Sequence, residues 1–257
     1  MNEYQAVWDN LEFFLTRLRA LPPCQAMDMG GRGFCLSTRS GSASENWAFL
    51  PGALADDGTA GAAARFFEER GLPFVWPLFQ DAPAQAALLE AAGLREAGRL
   101  LAMSRDAGAA DFGGNAPKDL TFQAVQSSGD AARWARSAWL GFGGEDPTPA
   151  NFIELAEAMG DDPSLVLMAA QEGGEDLGTF LLALGRDAGV YYFAVRPTCR
   201  RRGVAMAMMG ETLAHARRTG RPRIVLQATP AGVPFYRAAG FGAHGEIPLF
   251  STEEDVF

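Results

Sequence analysis

The chain has 257 residues, 48% of them hydrophobic and 21% charged, with a formal net charge of −9. That balance fits a soluble globular protein with a sizeable core, and it argues against a disordered chain or a general nucleic-acid binder, which needs a basic footprint. Two histidines (His215, His244) and three cysteines (Cys24, Cys35, Cys199) stand at no metal-ligand spacing, so no metal site and only reduced thiols are expected.

The opening segment, residues 3–20, places Tyr4, Val7, Trp8, Leu11, Phe14, Leu15 and Leu18 at helical spacing and predicts an amphipathic helix. It lacks the basic-then-apolar order of a leader, and no apolar run reaches membrane-spanning length; a cytoplasmic protein away from membranes is expected. Short strands follow at Gly33–Thr38 and Trp47–Leu50, then a helix from about Gly61 to Arg70 stopped by Gly71, and a strand at Phe74–Leu78. Ala84–Ala92 reads as a helix stopped by Gly93, with a strand-like tail to about Met103. Residues 107–118, rich in small residues, glycine and proline, read as a linker.

The pattern then restarts. Leu120–Val125 alternates as a strand, Asp130–Leu140 and Asn151–Met159 are helices, and strands are predicted at Leu165–Ala170, Leu177–Leu184 and Val190–Val195. A helix runs from Val204 to Gly220, then a strand at Ile224–Gln227, a helix at Val233–Ala239 stopped by Gly240, and a last strand near Ile247–Phe250. Strand, crossover helix and strand imply parallel pairing of Val190–Val195 with Ile224–Gln227. The class is α/β, a mixed central sheet with flanking helices.

The halves echo each other. Residues 88–103 align with 235–250 at an offset of 147, sharing Ala-Ala-Gly and the pair Gly98 and Gly245; residues 70–76 resemble 219–225 after a two-residue slip. A tandem duplication of one fold is expected.

The run from Val190 to Ala205 carries the strongest signal: an apolar strand, a proline turn, Arg200-Arg201-Arg202, Gly203, then a helix. Backbone N–H groups at such a turn and helix N-terminus converge on one point, where the helix dipole also favours negative charge. Between Arg196 and Arg223 eight arginines face a single acid, Glu211, so this segment is +7 and the remainder −16. An anionic, phosphate-bearing ligand is expected there, although a basic solvated turn has the same composition.

Arg200-Arg201-Arg202-Gly203-Val204-Ala205, followed by Phe235-Tyr236-Arg237-Ala238-Ala239-Gly240-Phe241, resembles the GNAT N-acetyltransferase superfamily over about residues 119–257. The resemblance implies the acyl-CoA N-acyltransferase fold, with acetyl-CoA as cosubstrate and a small-molecule or peptide amine as acceptor. It implies that the pyrophosphate lies on the N–H groups of about Arg201 to Ala205, including Gly203 and Val204, with Arg200 alongside. The pantetheine arm would follow the backbone of Phe193, Ala194 and Val195, and Tyr236 would be the general acid for the leaving thiolate. Thr229 stands where many relatives carry an asparagine contacting the pantetheine.

No base is evident. Glu145 and Asp146, in a Gly-rich loop, are candidates for holding the ammonium or taking its proton, a solvated loop being the alternative. Trp139, Phe142 and Phe152 are candidate pocket walls or core. Strand alternation puts the Tyr191 and Tyr192 hydroxyls on opposite faces.

The first half departs further: after Trp47–Leu50 it has no arginine-glycine cradle but Asp56 and Asp57, and Leu89 stands in Tyr236's place. The expected organisation is a degenerate copy at 1–106, a linker at 107–118 and the acetyltransferase domain at 119–257. A non-catalytic acyl-CoA sensor is the alternative function. An NTPase is disfavoured, since no G-x-x-x-x-G-K-[ST] occurs.

Overall fold

The computed structural model describes residues 2–254 and 256, apart from 32, 53–56, 81 and 110–116. Asp56 and most of the expected linker therefore lie outside the described residues. The opening stripe folds as α1 (Glu3–Arg19), capped by Asn2, whose side chain accepts from the Gln5 N–H at 2.7 Å. All seven stripe residues are buried, each contributing about 2 kcal/mol of burial.

Then come β1 (Gln25–Asp28), β2 (Phe34–Ser37), a 3-10 turn at Ala43–Glu45, β3 (Asn46–Phe49), α2 (Asp57–Glu68), β4 (Val75–Pro77), α3 (Pro83–Ala91) and β5 (Arg95–Asp106). The second half holds β6 (Thr121–Ala124), α4 (Ser128–Gly141), α5 (Ala150–Gly160), β7 (Leu165–Glu172), β8 (Glu175–Leu184) and β9 (Ala188–Val195). A 3-10 turn at Pro197–Cys199 leads to α6 (Val204–Arg218), β10 (Arg223–Ala228), α7 (Val233–Ala238) and β11 (Gly242–Ser251). Every expected element is present. β1 has no counterpart among the expected strands, because this edge strand is mostly exposed and so has no apolar alternation.

Among the described residues eleven strands form one sheet in the order β1-β2-β3-β4-β11-β5-β10-β9-β8-β7-β6. The order is symmetric about the β11–β5 pair, with β6 at one edge having no counterpart. The last strand of each half is inserted into the other half: β11 lies between β4 and β5, and β5 between β10 and β11. In the antiparallel β5–β11 pair, Leu100 faces Ile247, two residues 147 apart, so a pseudo-twofold axis passes through that pair.

The bulges obey the same symmetry. Ala97 is the extra residue on β5 and His244 on β11, each followed by a glycine at positive φ, Gly98 (155°) and Gly245 (140°). Only glycine adopts that conformation without strain, and the Gly98/Gly245 echo in the sequence is the trace of it. Upstream, each half pairs the strands before its first and second crossover in parallel, β3 with β4 at Trp47↔Val75 and β9 with β10 at Ala188↔Ile224 and Gly189↔Val225.

Helices α1, α4 and α5 cover one face of the sheet around Trp8, Phe14, Trp134 and Leu155. On the other face α6 and α7 pack Met208, Met209 and Leu213 over the second half. Helices α2 and α3 pack Phe67, Phe74 and Trp76 over the first. Leu89 is fully buried in that last cluster, so the position equivalent to Tyr236 is filled with hydrocarbon.

Candidate active site

Strand β9 sets the geometry. Its register with β8 jumps between Thr179↔Ala194 and Leu181↔Tyr191, and Tyr192 at the jump has φ 48°. A bulge of this kind bends a strand and breaks alternation. Both Tyr191 and Tyr192 consequently pack on the α1/α4/α5 face, while Phe193 and Val195 pack on the α6/α7 face. The expectation of one tyrosine hydroxyl per face is corrected by this bulge.

Beyond the bend β9 leaves β10. The two strands pair in parallel only at Ile224↔Ala188 and Val225↔Gly189, although β9 runs on to Val195 and β10 to Ala228. A crevice opens between them where the backbone of Phe193, Ala194 and Val195 faces no strand partner on the β10 side.

The cradle lies at the end of that crevice. After the Pro197–Cys199 turn the chain passes through left-handed backbone at Arg201 (φ 61°) and Gly203 (φ 83°) and enters α6. The first helix-closing bond runs from the Ala207 N–H to the Gly203 carbonyl at 3.1 Å, so the N–H groups of Val204, Ala205 and Met206 have no intrahelical acceptor. No side chain caps this terminus. Those donors, aligned with the helix dipole, are the chemistry a pyrophosphate needs.

The three consecutive arginines divide their work. Arg200 donates from Nε to the Val195 carbonyl at 3.1 Å and from Nη2 to the Gly141 carbonyl at 3.0 Å, tying the turn to β9 and α4. Arg202 pairs with Glu172 at 2.5 Å. Arg201, exposed, makes no ion pair or hydrogen bond through its side chain among the described residues.

Tyr236, on α7, sits against Phe193 (ring centroids 6.2 Å), Phe235 (5.1 Å) and Phe241 (5.7 Å). Burial pushes its pKa well above the ordinary tyrosine value, so it keeps its proton. Its hydroxyl has no hydrogen-bond partner among the described residues and is not sealed off. Thr229 acts locally, its hydroxyl oxygen accepting from the Gly232 N–H at 3.3 Å at the start of α7.

Glu145 and Asp146 are not brought to this centre by any hydrogen bond or ion pair among the described residues. Glu145 is exposed, its carbonyl accepting from the Trp139 indole at 2.7 Å. Asp146 takes a two-pronged contact from Arg136, at 3.0 and 2.6 Å, and the Arg136 guanidinium holds its carboxyl below the usual range. A carboxylate so held is a poor proton acceptor.

A different carboxylate meets β9. The Tyr192 hydroxyl donates to Glu45 Oε2 at 2.7 Å, with Glu45 arriving from the 3-10 turn of the first half. Burial pushes the Glu45 pKa up to about 7, against a smaller lowering by the Tyr192 hydrogen bond. Around the Tyr192 ring stand Trp134 (5.6 Å), Phe152 (5.8 Å), Phe142 (6.4 Å) and Phe14 (6.4 Å). Phe142 is 61% exposed, the one large hydrophobic side chain so exposed among the described residues. Nothing in the local sequence marks Glu45; only the folding of the first half onto β9 does.

Among the described residues no group of three or more His, Cys, Asp or Glu side chains is placed to hold a metal ion, and no helix is long and apolar enough to cross a membrane.

Residues 146–250 match the family described as an acetyltransferase (GNAT) domain. The whole chain is similar in structure to a GCN5-related N-acetyltransferase from Kribbella flavida, at 13% identity over 95% of each chain with a TM-score of 0.66. It is also similar to a GCN5-related N-acetyltransferase from Sphaerobacter thermophilus, at 16% identity over 86% of this chain and 76% of that one, TM-score 0.61. A tandem GNAT protein from the clavulanic acid biosynthesis pathway aligns at 12% identity over 96% and 94%, TM-score 0.60. No curated protein matches the sequence. The chain thus has the tandem GNAT fold, and the stretch that matches an acetyltransferase (GNAT) domain lies in its second half.

Proposed function

We propose that the chain is an acetyl-CoA-dependent N-acetyltransferase with one active site, formed by β9, β10, α6 and α7 of the second half. The observation that carries this reading is the uncapped α6 terminus behind Gly203, which follows the strand that leaves β10, with Tyr236 of α7 packed on Phe193 of that strand.

In this reading the N–H groups from Arg201 to Ala205 hold the pyrophosphate, with the Arg201 guanidinium adding charge-assisted hydrogen bonds. The backbone of Phe193, Ala194 and Val195 receives the acyl arm, and its N–H groups stabilise the oxyanion that develops when a neutral amine attacks the thioester carbonyl. Tyr236 gives its proton to the departing sulfur. Thr229, already engaged with Gly232, positions α7 and through it Tyr236. The first half, with Leu89 buried at the place of Tyr236 and no arginine-glycine turn, binds no second acetyl-CoA.

The test is calorimetric titration of the protein with acetyl-CoA, followed by release of free thiol with a panel of primary amines. One equivalent bound, with amine-dependent thiol release, is the expected result. Binding without thiol release on any amine would replace the enzyme with a sensor of acyl-CoA.

A further inference from the structure

The acetyltransferase reading leaves the amine's proton without a destination, because Asp146 is engaged by Arg136 and Glu145 lies out in an exposed loop. We propose that Glu45 is the proton acceptor of this active site, reached through the Tyr192 hydroxyl, so that the first half supplies the base to the site of the second. The inference rests on the acetyltransferase reading and goes beyond it in assigning a base and a role to the degenerate half.

Three observations carry it. The Tyr192 hydroxyl donates to Glu45 Oε2 at 2.7 Å, and its oxygen has lone pairs left to accept from an incoming ammonium. Tyr192 is the residue at the bulge of β9, adjacent in the chain to Phe193, whose backbone lines the acyl crevice on the opposite face. Glu45 makes no ion pair among the described residues and its other carboxylate oxygen has no hydrogen bond there, unlike Asp146, which is fully engaged. The aromatic rings of Phe142 and Phe152 flank the approach, which fits a primary amine carried on an apolar or aromatic frame.

The proton balance is simple. As an ammonium proton moves to the Tyr192 oxygen, the Tyr192 proton moves to Glu45 Oε2, and the neutral nitrogen forms its bond to the thioester carbon. The C–S bond breaks, and sulfur takes the Tyr236 proton. The second nitrogen proton, lost as the amide forms, returns Tyr236 to its hydroxyl form through solvent, and Glu45 releases the first to solvent.

The titrating groups facing Glu45 are Tyr192 from β9 and Cys24 from the segment before β1. Arg39 acts on Cys24 and is itself paired with Glu154 of α5. The strands β3 and β4 bring no titratable side chain to it. Burial holds both Tyr192 and Cys24 in their neutral forms, so Glu45 is the group that changes charge near neutral pH.

The test compares wild type with Glu45→Gln, Glu45→Asp and Tyr192→Phe. Acetyl-CoA affinity and thermal melting come first, then kcat/KM for the best amine of the panel from pH 5.5 to 9, and then transfer to hydroxylamine, a nucleophile already neutral at pH 7.5. Glu45→Gln should bind acetyl-CoA within about threefold of wild type and lose about 100-fold or more in kcat/KM for the amine, in line with loss of a general base. It should lose the acid limb of the profile and stay within about threefold of wild type on hydroxylamine. Tyr192→Phe should follow it, and Glu45→Asp should recover part of the rate. A Glu45→Gln enzyme with the wild-type profile, or one equally impaired on hydroxylamine, overturns the relay while leaving the acetyltransferase reading intact. Wild type that binds no acetyl-CoA, or transfers to no amine, overturns both.

Discussion

The burial of Glu45 makes a prediction about stability that needs no substrate. In the folded protein its pKa stands at about 7, against 4.5 for the free side chain. A rise of that size corresponds to about 3 kcal/mol of preference for the protonated form, an upper bound for a half-buried group. Because the folded state holds this proton more tightly than the unfolded state, wild type loses stability as pH rises from about 4.5 to about 7 and then levels off. Glu45→Gln has no charge to bury, and its amide oxygen still accepts from the Tyr192 hydroxyl. The variant should match wild type near pH 4.5 and exceed it at pH 8 by up to about 3 kcal/mol, or about 5–10 °C in melting temperature for a chain of this size. Urea melts of both proteins at half-unit steps between pH 4.5 and 8.5 measure the difference directly. A difference that stays constant across the range would mean that Glu45 is not held in a poorly hydrated site, and the proton relay would lose its physical basis with it.

Gly203→Val places a β-branched side chain at φ 83°, costing about 1–3 kcal/mol in backbone strain and disturbing the turn that presents the α6 N–H groups. Acetyl-CoA affinity should fall by about 100-fold or more in calorimetry with the circular dichroism spectrum retained, and an unchanged affinity would remove the cradle assignment. Tyr236→Phe should lower kcat by about 100-fold with acetyl-CoA affinity preserved. Since burial raises the Tyr236 pKa above its ordinary 10, wild-type turnover should show no alkaline loss from this group below about pH 10; equal turnover of the variant would assign the leaving-group proton to water. Residues 1–106 and 107–257 expressed separately should each aggregate or fail to melt cooperatively, and regain acetyl-CoA binding when coexpressed, because each lacks a strand from the middle of its own sheet. A stable monomeric 107–257 fragment that binds acetyl-CoA would refute that dependence.

What was legible in the sequence is what local chemistry decides. The helix stops at Gly71, Gly93, Gly220 and Gly240 all take positive φ, and the left-handed turn at Arg201–Gly203 and the helix start at Val204 stand where the turn and helix signals put them. The repeat was legible for the same reason: Gly98 and Gly245 are bulge residues that no other side chain replaces without strain. The strand exchange was not, because a strand's apolar pattern states which face it buries and not which neighbour it pairs with. Alternation fails at Tyr191–Tyr192 because a bulge inserts a residue without any change in composition, and that one residue moves Tyr192 onto the face where Glu45 waits. Their place in a Gly-rich loop between two helices singles out Glu145 and Asp146; the nearby Arg136 decides instead that Asp146 belongs to a surface ion pair.

The strand exchange also explains how a half without a cradle holds its place in the fold. β5 completes the second half's sheet and β11 the first's, so the first half's contribution to folding runs through its strands and its core, where Leu89 packs better than a tyrosine whose hydroxyl would find no partner. A phosphate cradle at the start of α2 would add nothing to that packing. The same pseudo-twofold arrangement, with α1 spanning the central strands, brings the 3-10 turn before β3 across to the bulge of β9. There a carboxylate meets the tyrosine hydroxyl that adjoins the acyl crevice. Duplication therefore need not yield two active sites. In the proposed reading the two copies divide the reaction, the second half holding the acyl donor and the first half receiving the acceptor's proton.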